Sequence, residues 1–137
     1  MRNEKLNYIL NQINLPDCLE LVKDNIYYSK RSIKQRCLHM DGSYTYITGE
    51  YEFLIIAQDG IKKAIILRCG EQDLHWYVKR KWRGSHVLSS ALQTGIIHKI
   101  WPENTSITCC YNPGEDYGEK YTMTQHLADI AGLSLDN

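Results

Sequence analysis

A chain of 137 residues, 43% hydrophobic and 23% charged, with a formal net charge of zero, has the size and balance of one globular domain, residues 1–137. That composition excludes a disordered chain. The apolar runs are too short to span a bilayer, and the opening MRNEKLNYIL lacks the apolar stretch of a signal peptide, so a cytoplasmic protein with no membrane role is expected.

Leu6, Ile9, Leu10 and Ile13 recur at helical spacing and predict a first helix over Asn3–Ile13. Pro16 suits a second helix start, with Cys18, Leu19, Leu21, Val22 and Ile26 on its inner side. The polar, basic YYSKRSIKQR from Tyr27 either continues that helix or begins a strand.

After Asp41-Gly42 the pattern changes to strands. SYTYITGEYEFLIIA is rich in Tyr, Thr, Ile and Phe, which fit a pleated surface. Gln58-Asp59-Gly60 follows, then IKKAIILRC, and Asp-Gly between two apolar runs predicts a tight hairpin. A turn over residues 69–73 leads into LHWYVKRKWR, the third strand of a meander. There Leu74, Trp76, Val78 and Trp82 alternate with His75, Tyr77, Lys79, Lys81 and Arg83, and Arg80 breaks the inner series.

Ser85 is a helix cap, and the helix runs through Ile97 with Val87, Leu88, Ala91 and Leu92 on its buried side. Gly95 interrupts or ends it. TSITCCY reads as a fourth strand, NPGEDYGEK as an exposed acidic turn and TMTQHLADIAGLSL as a closing helix. The class is α+β: an antiparallel meander of about three to five strands, with N-terminal, central and C-terminal helices packed on one face.

The zero net charge conceals an uneven distribution. Residues 1–26 carry three basic and four acidic side chains, residues 27–100 twelve and six, and residues 101–137 one and six. A basic middle points to a polyanionic partner, or to the acidic end folding back on it.

The strongest candidate surface is the outer side of LHWYVKRKWR: His75, Tyr77, Lys79, Lys81 and Arg83. Lys62 and Arg68 of the preceding strand extend it, and Arg31, Lys34 and Arg36 flank it. Fixed positive charge binds phosphates, and flat rings stack on bases, single-stranded ones included. The expected function is therefore a small nucleic-acid-associated binding protein using a basic, aromatic sheet face. The alternative is a protein-binding inhibitor or adaptor of the kind phage and mobile elements carry, docking through Glu115, Asp116, Tyr117 and Glu119.

TQHLADIAGLSLDN resembles the opening of a helix-turn-helix unit. Leu127-Ala128, Ala131, Gly132, Leu133 and Ser134 match its helix, turn and cap. The resemblance covers about fourteen residues and implies a recognition helix, for which only Leu135, Asp136 and Asn137 remain. Because the segment is acidic, an amphipathic helix with a glycine stop is the preferred reading.

Five cysteines, an odd number, suit free thiols in a reducing compartment. Cys37 with His39, Cys69 with His75, and the adjacent Cys109 and Cys110 lack paired zinc-ligand spacing. Neither a metal nor a cofactor is expected. Cys69 with His75 or His86, and Glu50 with Glu52, are the nearest approaches to a catalytic pair. An enzyme is the less favoured class.

Overall fold

The computed structural model describes residues 3–13, 20–69, 73–104, 106–108 and 117–136. Helix α1 (Asn3–Gln12) is followed by strands β1 (Glu20–Lys23), β2 (Ile26–Leu38), β3 (Tyr44–Gln58), β4 (Ile61–Cys69) and β5 (Asp73–Val78). These strands form one antiparallel sheet in sequence order, as a meander. Helices α2 (Val87–Gln93) and α3 (Ile96–Ile100), strand β6 (Ser106–Thr108), helix α4 (Tyr117–Ala131) and strand β7 (Ser134–Asp136) complete the α+β fold. No helix among the described residues is long and apolar enough to cross a membrane.

The turns follow from local chemistry. Asp59 (φ 54°) and Gly60 (φ 78°) both adopt positive φ, the conformation a two-residue hairpin needs to match strand twist. At the β2–β3 turn, Asp41 Oδ1 accepts hydrogen bonds from the Ser43 amide (2.9 Å) and hydroxyl (2.5 Å). These bonds hold the Asp41 carboxyl below the usual carboxylate range. The segment expected as a second helix is different. Residues 14–19 lie outside the described residues, Glu20–Lys23 is strand β1 and YYSKRSIKQR lies in β2. Leu21, Val22 and Ile26 thus contribute to a sheet.

The sheet is buried on both faces at its centre. Leu54, Ile56, Ala64, Ile66 and Leu74 pack toward Leu88, Leu92, Ile97 and Ala128 on one side. Phe53, Ile55, Ala57, Ile65 and Leu67 pack against Leu6, Ile9, Leu10 and Ile13 on the other. Helix α1 therefore occupies the face opposite α2–α4, and the helices do not share one face. Each fully buried Leu, Ile or Phe contributes about 1.5–3 kcal/mol, so both layers are needed for stability.

A bulge sets the register next to α1. Ile56 pairs with Ala64, but Ala57 pairs with Lys62. The extra residue turns Lys62 toward the helix. Its ammonium donates to the main-chain oxygens of Leu10 (2.8 Å), Asn11 (3.3 Å) and Ile13 (2.5 Å). A cation on these unpaired carbonyls closes the C-terminus of α1.

The chain end departs from the helix-turn-helix resemblance. Gly132 (φ 74°) stops α4. The Leu133 amide donates to Ala128 O (2.9 Å) and the Gly132 amide to Asp129 O (3.2 Å). This is the paired bonding of a Schellman stop. After it the chain becomes β7, parallel to β6 in a separate two-stranded sheet. The predicted helix after Ser85 is divided by Gly95 into α2 and α3. His86, rather than Ser85, takes the cap position, and the Ser85 hydroxyl donates to Trp82 O.

Candidate nucleic-acid interface

The β2–β3 hairpin is longer than the sheet that supports it. Among the described residues, β1 pairs with β2 no further than Tyr28, and β4 pairs with β3 no further than Glu52. Beyond those points β2 and β3 continue through eight pairs, from Arg31–Tyr51 to Leu38–Tyr44. At about 3.3 Å per residue, this two-stranded ribbon projects roughly 26 Å.

Side-chain alternation sorts the ribbon's faces. The pairs Lys34–Thr48, Arg36–Tyr46 and Leu38–Tyr44 fall on one of them. The Lys34 ammonium sits 4.1 Å from the Tyr46 ring centre, and the Arg36 guanidinium 4.4 Å from that of Tyr44. The two tyrosines meet edge to face at 5.5 Å. Each cation lies over the ring diagonal to it, so the four side chains form one interleaved basic and aromatic strip. Tyr44 and Tyr46 remain about half exposed (49% and 53%). Arg31, half-buried, pairs with Tyr51 on the reverse face. Near the base, Lys30 and Glu50 form an exposed ion pair at 3.4 Å.

Of the sequence-predicted cations, Arg31, Lys34 and Arg36 lie on this ribbon, Lys34 and Arg36 on one face and Arg31 on the other. The others do not join them. Helix α1 covers the face that LHWYVKRKWR was to leave open. His75 is buried, Tyr77 is half-buried against the α1 layer, and Lys79 donates to Asn11 Oδ1 at 2.6 Å. Lys62 closes α1, and its burial, with Lys79 nearby, lowers its pKa. The strand ends at Val78, and residues 80–82 form a 3₁₀ turn, so the alternation stops before Trp82. Lys81 within this turn and Arg83 after it are exposed. The pairings Val78–Ala64 and Ala64–Ile56 place them at the end of the sheet away from the ribbon.

Arg68 belongs to an internal network. Its NH1 donates to Glu52 Oε2 (2.6 Å) and its NH2 to Glu103 Oε1 (2.5 Å). Tyr28 donates to the other Glu52 oxygen. Glu50 and Glu52 are thus engaged with different cations and do not form an acid–base pair. Tyr44 and Tyr46 were absent from the sequence-predicted site. Their signal was the spacing Tyr44-x-Tyr46 opposite Lys34-x-Arg36, legible only once both segments are strands joined at Asp41-Gly42.

Of the acidic stretch, Glu115 and Asp116 lie outside the described residues, Tyr117 opens α4, and Glu119 stands exposed in its first turn. Cys109 and Cys110 lie outside them too. Among the described residues no three His, Cys, Asp or Glu side chains are grouped to hold a metal ion. His75 faces α1, whereas His86 precedes α2, so the two do not share a cleft. No family model, curated protein or solved structure matches this chain.

Proposed function

We propose that this protein binds nucleic acid through the projecting ribbon, laying the Lys34, Arg36, Tyr44 and Tyr46 strip against a duplex groove. The observation that carries the reading is the interleaved strip on an eight-pair ribbon that no other strand among the described residues accompanies. A two-stranded ribbon has the width to enter the major groove of a duplex, where lysine and arginine reach phosphates and base edges. The basic middle of the chain supports a polyanionic partner. A cytoplasmic setting belongs to the same proposal; the free thiol of Cys37 suits it.

The test is fluorescence anisotropy with labelled duplex and single-stranded oligonucleotides at low and moderate salt. Two phosphate contacts from Lys34 and Arg36 correspond to a loss of roughly 12-fold in affinity between about 50 and 200 mM salt. Duplex is expected to bind more tightly than single strand. No binding at the lower salt, or equal binding by a Lys34→Glu/Arg36→Glu variant, overturns the proposal.

A second reading, a protein-binding inhibitor or adaptor, has one observation in its favour: Leu38 and Met40 at the ribbon tip are exposed (70% and 108%). A partner whose capture is lost in Leu38→Ser/Met40→Ser, with oligonucleotide binding absent, would replace the first reading with this one.

A further inference from the structure

We propose that a cavity at the opposite end of the sheet binds a small planar aromatic anion. The cavity measures about 470 Å³ and lies between the end of β5, the start of α2 and the first half of α4. That volume is within the range of about 300–1,000 Å³ usual for small-ligand sites.

Its walls select the ring. Trp76, Tyr77 and Trp82 line it together with Val87 and Leu127. Trp76, Val87 and Leu127 belong to the apolar layer beneath α2 and α4 but are only partly buried. Apolar surface that neighbouring side chains do not cover gains by burying a flat apolar ligand. Trp82 is held in place by Lys63, 4.2 Å from its ring centre, and by Lys81 at 5.3 Å. The exposed Met123 stands among the lining residues and adapts to ligand shape.

Its charges select the anion. The lining carries two cations, Arg83 and Lys120, against one acid, Glu119, and His86 and His126 add imidazoles. Arg83 is anchored by its Nε, which donates to Val78 O at 3.0 Å, and lies 5.4 Å from the Tyr77 ring centre. The anchored guanidinium is therefore positioned next to the Tyr77 ring, where a sulfonate, carboxylate or phosphate on the ligand would sit. His86 carries a positive φ (61°) and makes no side-chain cap bond to α2, so its imidazole is not consumed by capping.

The test uses three probes with one ring system: naphthalene-2-sulfonate, 2-naphthylmethanol and 2-naphthylmethylammonium. Each is titrated into the full chain and followed by amide chemical shifts. The sulfonate is expected to shift amides of residues 86–89 and 119–127, and to bind at least about fivefold more tightly than the alcohol, with the ammonium weaker still. Arg83→Gln should remove most of that advantage, and Val87→Trp should block all three probes while the dispersion of the spectrum shows the chain folded. Lys34→Glu/Arg36→Glu should leave probe binding unchanged, which separates this site from the ribbon. No shifts in those segments, equal affinity for the three probes, or an unaltered preference in Arg83→Gln overturns the proposal.

Discussion

The Tyr28 hydroxyl donates a 2.6 Å hydrogen bond to Glu52 Oε1 while Arg68 holds the second carboxylate oxygen at 2.6 Å. Burial by itself would raise the Glu52 pKa, but the bonds from Tyr28 and Arg68 outweigh it and hold the carboxyl below its ordinary value. The buried Trp101 indole lies near and lowers it further without completing a hydrogen bond. Tyr28 is pushed up to about 12, by burial first and then by the same carboxylate.

Both shifts predict how stability depends on pH. A depressed Glu52 stabilises the fold above its ordinary pKa, and that contribution is lost as pH falls through the folded value. A raised Tyr28 stabilises it below pH 10.0, and the contribution is lost as pH rises toward about 12. Glu52→Gln is expected to cost about 1–3 kcal/mol near neutrality and to flatten the acid limb. Urea unfolding at a series of pH values measures both; an unchanged acid slope would contradict the assignment.

Lys62 holds the end of α1 through three carbonyls. Lys62→Met keeps the aliphatic stem but removes the donors, and should cost about 1–2 kcal/mol. The loss should be local. Hydrogen exchange of the α1 amides is expected to accelerate before that of β3 and β4. Uniform acceleration across the sheet would mean that α1 is not separately fastened by this side chain.

What was legible in the sequence follows a physical division. The hairpin at Asp59-Gly60, helix α1 and the meander order depend on local turn chemistry and periodicity, and each was readable. The two-sided burial was written in FLIIA and AIIL, because strands covered on both faces show continuous apolar runs. The alternation of LHWYVKRKWR concealed it. At an edge strand beneath a short helix, polar side chains reach helix ends rather than solvent, as Lys79 reaches Asn11. The ribbon was hidden for another reason. YYSKRSIKQR has no apolar period of its own, and its strand identity comes from pairing with residues 44–56. Cross-strand pairing is a tertiary fact that no single window contains.

The tyrosines of the ribbon should matter for binding while the chain stays folded without them. Each cation–ring contact at an exposed site is worth about 0.5–1 kcal/mol. Tyr44→Ala/Tyr46→Ala is therefore expected to release Lys34 and Arg36 from their positions and weaken duplex binding by roughly 5- to 30-fold. The same variant should lose no more than about 1–2 kcal/mol of stability, the two cation–ring contacts themselves, since both rings lie outside the two apolar layers. Lost binding in a chain that remains folded supports the ribbon as the contact surface. Equal binding removes the rings from it.

The end of α4 gives a prediction whose sign is informative. Gly132 has φ 74°, and a Cβ built there would lie 3.0 Å from His98 Nε2. Gly60 has nearly the same φ, but nothing stands within 4 Å of its Cβ position. Alanine at positive φ costs about 1–2 kcal/mol, so Gly60→Ala should lose that amount alone. Gly132→Ala should lose at least as much, because the His98 ring must also move and the Schellman bonds to Ala128 and Asp129 depend on the same backbone geometry. Were residue 132 instead within a continuing helix, alanine would stabilise the chain by about 1 kcal/mol. Urea unfolding of the two variants side by side decides between a helix that stops at Gly132 and one that runs through it.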